Sequence, residues 1–255
     1  MRFFDKYKIC AKQNKSLLCI GLDNADFEFI KKIIDETHDL VCAYKPNSAF
    51  YEAGGAKGIE TLKKVCMYIQ KNYPEIPIIL DAKRGDIGNT NEQYAKFAFE
   101  YLQVDAITLH PYQGLGALAP FEKYQDKGLI ALVKTSNPES SELQDMKLEN
   151  GKMVWEQVLE EVVKRDGGKG QWGVVVGATH PEEMKMARKM IGNMVVLVPG
   201  VGAQGAKVED ILNDETSNGL DMIINVGRSI LQASDPRQAA KEVQLLTINY
   251  SAQKE

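Results

Sequence analysis

The sequence is short of cysteine, histidine and tryptophan, and it has no excess of basic residues. Its 255 residues include four cysteines, three histidines and two tryptophans. The spacings of Cys10, Cys19, Cys42 and Cys66 match neither a zinc pattern nor a redox CxxC. Three of the four lie in or beside apolar runs, where a thiol behaves as a small hydrophobe. The expectation is a reduced, cytoplasmic protein. Acids outnumber bases 35 to 31, a net charge of −4. That balance carries no electrostatic footprint for a nucleic acid polymer or a membrane surface. An anionic small ligand stays compatible with it, because a local cationic pocket need not show in the total. No apolar run reaches the ~20 residues that span a bilayer. The opening stretch "MRFFDKYKICAKQNK" is too polar for a signal peptide. Linkers and low-complexity tracts are also lacking, so one domain over 1–255 is expected.

What is present is a recurring apolar, β-branched run. Four such runs are "SLLCIGLD" (16–23), "LVCAYKP" (40–46), "IPIILDAK" (76–83) and "DAITLHP" (105–111). Four more are "GLIALVKTS" (128–136), "WGVVVGAT" (172–179), "MVVLVPGVG" (194–202) and "DMIINVGRS" (221–229). Continuous runs of this length suit parallel strands buried on both faces. Segments of helical period separate most of them: "FEFIKKIIDE", "GIETLKKVCMYIQKNY", "NEQYAKFAFEYL", "MVWEQVLEEVVKRDG" and "HPEEMKMARKMIG". Eight βα units in about 250 residues have the size and count of a single-domain TIM (β/α)8 barrel. A doubly wound open sheet is the alternative. The longest irregular piece, 135–152 after the fifth strand, is a candidate lid.

In a barrel, chemistry collects at the carboxyl ends of the strands. Here the runs end in Asp23, Lys45, Asp81 with Lys83, His110, and Lys134 to Ser136. Asp81 and Lys83 are two apart, so both face the same side of their strand. Asp86 lies just beyond, and Lys45 can reach across from the neighbouring strand. Lys45, Asp81, Lys83 and Asp86 would then alternate in sign, the ammonium groups holding both carboxylates ionised. Each opposite-charge contact at about 4 Å is worth roughly 4 kcal/mol at an effective dielectric near 20, before desolvation. A buried stabilising network is the competing reading, weakened because such networks often gain less than their desolvation costs. The last two strands end in "PGVGAQG" and "VGRS". Glycines at 200, 202, 205 and 227 let backbone N–H groups approach an oxyanion. Arg228 offers a fork for two phosphate oxygens, and a helix starting after it would add its dipole. Loops after strands seven and eight form the phosphate site of many such barrels.

These residues resemble the orotidine 5′-phosphate decarboxylase family over nearly the whole chain. "DAKRGDIGNT" is similar to its D-x-K-x-x-D motif, and "AYKPN", "VPGVGAQG" and "NVGRS" match in order and spacing. The resemblance implies a cofactor-free enzyme that needs no metal and converts orotidine 5′-monophosphate to uridine 5′-monophosphate and CO2. Lys83 would donate the proton to C6, Asp81 would lie against the departing carboxylate, and Lys45 and Asp86 would complete the array. Asp86 and Thr90 would enter the site from the partner subunit of a homodimer. Asp23 would bind a ribose hydroxyl and Ser136 the pyrimidine edge. Pro199, Gly202 and Gln204 would line the substrate, with Gln204 bridging toward the phosphate that Gly227 and Arg228 hold. Gly88 and Gly85 depart from the better-known branch, which has a proline and a bulkier residue there. These are changes of loop shape that leave the aspartate–lysine–aspartate spacing intact.

The residues permit an electrostatic mechanism. The reaction must leave an electron pair on an sp² carbon with no adjacent carbonyl to accept it, and neither a pyridoxal-phosphate lysine context nor a metal-ligand cluster is legible. A fixed Lys83 ammonium would stabilise that charge and then protonate it. A metal-dependent barrel aldolase would want an acid where "AYKPN" offers Lys45. A non-catalytic phosphate sensor would not need the lysine–aspartate array. His110 is expected to make a structural hydrogen bond, His38 and His180 to be peripheral, and Trp155 and Trp172 to pack rather than stack on a base.

Overall fold

The computed structural model describes residues 1–201 and 219–252. All eight expected strands form: β1 (Leu18–Leu22), β2 (Ala43–Pro46), β3 (Ile79–Arg84), β4 (Ala106–Leu109), β5 (Gly128–Lys134), β6 (Trp172–Val176), β7 (Val196–Val198) and β8 (Met222–Val226). They pair in parallel in the order β2-β1-β8-β7-β6-β5-β4-β3. Parallel bridges Tyr44–Ile78 and Asn47–Asp81 join the two ends of that order. The sheet is therefore closed, a (β/α)8 barrel, and the open-sheet alternative falls.

The helices follow local sequence signals. Over Phe27–Thr37, Ile30, Ile33, Ile34 and Thr37 are buried at helical spacing, and Asp26 caps the start by accepting from the Phe29 N–H at 3.1 Å. Gly167 ends Val154–Asp166 with φ +54°, a left-handed stop. Pro181 opens Pro181–Ile191 and Gly192 closes it. Among the described residues no helix is long and apolar enough to cross a membrane.

Two core layers result. Outward-facing strand residues such as Ile20, Tyr44, Leu80 and Ile107 pack under the helices. Inside the barrel, every strand contributes to one cluster: Cys19, Ala43, Ile79, Ala106, Ile130, Val175, Leu197 and Ile223. A helix not expected from the sequence, Phe3–Gln13, closes the amino-terminal end of this cluster with Phe3, Phe4 and Tyr7. Two glycines make room for it. A Cβ on Gly128 would lie 2.2 Å from the Phe3 ring, and one on Gly173 would lie 3.0 Å from the Phe4 ring. The Tyr7 hydroxyl donates to the Met222 carbonyl at 2.7 Å. Removing two phenyl rings from water at this end contributes about 1.5–3 kcal/mol each.

All four cysteines are free and buried. Burial pushes the Cys10, Cys19 and Cys66 thiols up to about 12, so they are inert hydrophobes.

The 135–152 segment, expected to be irregular, has local order. It folds into Pro138–Ser140 and Ser141–Gln144 turns, and Lys147 bridges Met153. Its clamps are specific. Gln144 accepts from the Thr135 N–H at 2.9 Å and donates to the Thr135 hydroxyl at 2.8 Å. Fully buried Lys134 pairs with Asp145 at 2.6 Å.

Candidate active site

Strand alternation sends Lys45, Asp81 and Thr108 to the carboxyl-terminal mouth, one step above Ala43, Ile79 and Ala106 of the inner cluster. Asp81 is gripped from both sides. Its Oδ2 takes the Lys45 ammonium at 2.6 Å, and its Oδ1 takes the Lys83 ammonium at 2.6 Å. The Thr108 hydroxyl donates a third bond, 2.9 Å to Oδ1. Burial opposes ionisation of Asp81, but the two ammonium charges outweigh it and hold its carboxyl well below the usual range. Burial likewise works against the Lys45 charge, and Asp81 and Asp23 more than restore it. Lys45 is 3% exposed, whereas the Lys83 side chain is about half open (51%). The arrangement is a buried cation and an ionised carboxylate that together present a second cation to whatever fills the mouth.

Lys83 sits in unusual backbone. The β3–β4 register jumps from Leu80–Ile107 to Arg84–Leu109, a bulge. Within it Lys83 has φ +45°, a left-handed conformation costing a non-glycine residue about 1–2 kcal/mol. Its N–H donates to the Thr108 hydroxyl at 3.0 Å. Thr108 escaped the sequence reading. Its place on the inward face, two residues before His110, was the available signal.

Around the array, Asp23 ends β1. Burial raises its pKa, while Lys45, Lys83 and Arg228 pull it down and Asp81 pushes it up, so all four charges share its surroundings. Gly21 keeps a notch open there. A Cβ on it would lie 3.4 Å from the Gly227 Cα, 3.5 Å from the Asn225 Oδ1 and 3.6 Å from the Asp23 Oδ1. Those two oxygens are buried without hydrogen-bond partners among the described residues, a demand for donors. Arg228 makes no ion pair among the described residues and is itself exposed. The helix it belongs to begins at Arg228 itself and ends at Leu231, too short to develop the dipole expected of it. Ser136 is half-buried and held tightly. A Cβ on Gly177 would lie 2.7 Å from its Cβ, and its carbonyl accepts from Thr179 at 3.3 Å. The Pro199 carbonyl accepts from the Ala178 N–H at 2.9 Å, which ties the end of β7 to that of β6.

Not every expected residue joins. Asp86 forms no ion pair within the chain among the described residues. Its carboxylate accepts from the Ile87 N–H at 2.7 Å, and Asn91 accepts from its own N–H at 3.0 Å. The four-member array is thus three-membered within one chain, because the loop carrying Asp86 turns away into the helix Gly88–Lys96, where Thr90 lies. Gly202, Gln204 and Gly205 lie outside the described residues. The His110 imidazole makes no hydrogen bond among the described residues, contrary to expectation. Its contact is steric: a Cβ on Gly85 would come within 2.4 Å of the His110 carbonyl oxygen and 2.8 Å of the ring. His180 is less peripheral than expected, its Nε2 lying 3.0 Å from the Thr135 carbonyl. His38 stacks on Tyr73. Trp155 and Trp172 are buried, as expected.

A closed parallel barrel with a lysine–aspartate–lysine array at its carboxyl-terminal mouth defines a (β/α)8-barrel enzyme. Residues 16–243 match the model of the Orotidine 5′-phosphate decarboxylase / HUMPS family, and the chain belongs to that family. A protein of Ralstonia pickettii (strain 12J) named orotidine 5′-phosphate decarboxylase is 42% identical, with 97% of each chain covered. One of the same name from Cellvibrio japonicus (strain Ueda107) is 43% identical, with 96% of each covered. Among solved structures, OMP decarboxylase of Leishmania donovani superposes with a TM-score of 0.91 at 38% identity, covering 99% of this chain and 100% of that one.

Proposed function

We propose that the chain decarboxylates orotidine 5′-monophosphate to uridine 5′-monophosphate and CO2, in pyrimidine nucleotide synthesis. The observation that carries this reading is Asp81, ionised between two ammonium groups at the barrel mouth, in a chain of this family. The C6–carboxylate bond breaks heterolytically, CO2 departs, and the electron pair stays on C6. The Lys83 ammonium sits where that charge develops and transfers its proton to C6, closing the valence. Lys83 then recovers a proton from water. Asp81 faces the substrate carboxylate and keeps Lys83 charged, and buried Lys45 keeps Asp81 charged. Asp23 accepts from a ribose hydroxyl, and Ser136 bonds the pyrimidine edge. Arg228 and the Gly227 backbone hold the phosphate, helped by Pro199, Gly202 and Gln204. That grip is remote from C6, so its binding energy can serve orientation. No metal or cofactor is invoked.

The active unit is a homodimer in this reading, with Asp86 and Thr90 supplied by the partner subunit. Support comes from Asp86 standing outside its own chain's array, and from Phe50, Ile87 and Tyr112 exposing apolar surface on the segments that follow β2, β3 and β4. The cytoplasm is the corresponding location.

The test is the ultraviolet absorbance of orotidine 5′-monophosphate incubated with the protein and EDTA, beside Lys83→Ala. The expected result is conversion to the product spectrum by the wild type and none by the variant. An unchanged spectrum with folded wild-type protein overturns the reading.

A further inference from the structure

We infer that Thr108 is a positioning residue that fixes where the Lys83 ammonium stands, an inference resting on the decarboxylase reading for its kinetic consequence. Thr108 lies inside the barrel on β4 and is 1% exposed. One hydroxyl performs two tasks. Its oxygen accepts the Lys83 N–H at 3.0 Å, and its proton goes to the Asp81 Oδ1 at 2.9 Å. The Lys83 ammonium reaches that same Oδ1 at 2.6 Å. Backbone and side chain of Lys83 are thus referred to one pair of atoms, Thr108 Oγ1 and Asp81 Oδ1.

The bulge explains why such a tie is needed. Three residues separate Leu80 from Arg84 on β3 where only Thr108 separates Ile107 from Leu109 on β4, so Lys83 has lost its regular ladder partner. Its N–H would be orphaned without the threonine oxygen. Lys83 also holds φ +45°, a conformation that persists only where the surroundings over-determine it. Valine has the shape of threonine and would fill the same space. It can neither accept from Lys83 nor donate to Asp81. The lost element is therefore the placement of a side chain, not the packing of a core. Phosphate and ribose contacts lie elsewhere in the mouth, so substrate affinity is largely independent of this hydroxyl, while proton delivery to C6 is not.

The test compares Thr108→Val and Thr108→Ser with the wild type by steady-state kinetics on orotidine 5′-monophosphate and by exchange of the Lys83 amide proton in the ligand-free protein. Thr108→Val is expected to lower kcat by about 10–100-fold, as a misplacement near 1 Å does, with KM changed less than about threefold. Thr108→Ser keeps kcat within about threefold of wild type, since it restores the same hydroxyl. The Lys83 amide is protected in wild type and in the serine variant, and exchanges faster in the valine variant. If Thr108→Val fails to fold, Thr108→Ala is read in its place. A valine variant with unchanged kcat, a KM rise matching the whole loss, or equal losses in serine and valine overturns the inference. Should the wild type leave the substrate unchanged, the decarboxylase reading has failed. Lys83 amide exchange then still decides whether Thr108 holds that backbone.

Discussion

Asp81 is stabilising as a charge and would be costly as a vacancy. It separates two ammonium groups, one of them buried. Asp81→Asn takes from buried Lys45 the carboxylate it is hydrogen-bonded to, leaving only Asp23 nearby, and removing one partner of a buried pair costs about 3–5 kcal/mol. We expect that loss in urea unfolding at neutral pH. The carboxyl titrates lower in the folded than in the unfolded chain. Its contribution is therefore fully present above about pH 5 and fades as pH falls below the ordinary aspartate value of about 4. The stability gap between wild type and Asp81→Asn should narrow on acidification. A gap unchanged down to about pH 3 would contradict the assigned ionisation. Lys45, Asp81 and Lys83 were legible in the sequence because strand period fixes which side chains share a face. Thr108 was not, because a lone threonine in an apolar run reads as an ordinary β-former. Strand period alone could not aim Asp86, because it lies in a loop that has no period; its assignment to the partner subunit rested on the family resemblance.

At the level of elements, the strands could be read from their composition and the Phe3–Gln13 helix could not. That helix precedes β1, outside the strand–helix alternation, and its role appears only once eight strands close around a common interior. The signal was indirect: Gly128 and Gly173 begin or nearly begin β5 and β6, where a strand former would be expected. Their reason is the Phe3 and Phe4 rings. Gly128→Ala should destabilise by about 1–3 kcal/mol through overpacking. Combining it with Phe3→Leu should cost less than the sum of the two single changes, because the sites touch. Denaturant midpoints of the four proteins in the cycle measure this coupling, and strict additivity would mean that the helix does not seat as described. The local order of the 135–152 segment was hidden for the opposite reason. Its sequence has no regular period, yet Gln144 and Asp145 pin it back to the end of β5, and His180 reaches Thr135 from 45 residues further along the chain.

For the whole molecule, the assignment of Asp86 to a neighbouring subunit makes a quantitative expectation. Lys83→Ala and Asp86→Ala homodimers should each be nearly inactive. Mixed after dissociation and reassembly, half the dimers carry both lesions, and one of their two sites has both residues intact. About a quarter of wild-type activity should return. If both residues act within one chain, mixing restores nothing. The plug formed by Phe3, Phe4 and Tyr7 bears on the traffic of molecules as well as on stability. A barrel filled by its inner cluster and capped beneath by the Phe3–Gln13 helix is a cup, not a pipe. Substrate, CO2 and nucleotide product all share the single neck where Lys83 stands, so each turnover must empty the vessel before the next can begin.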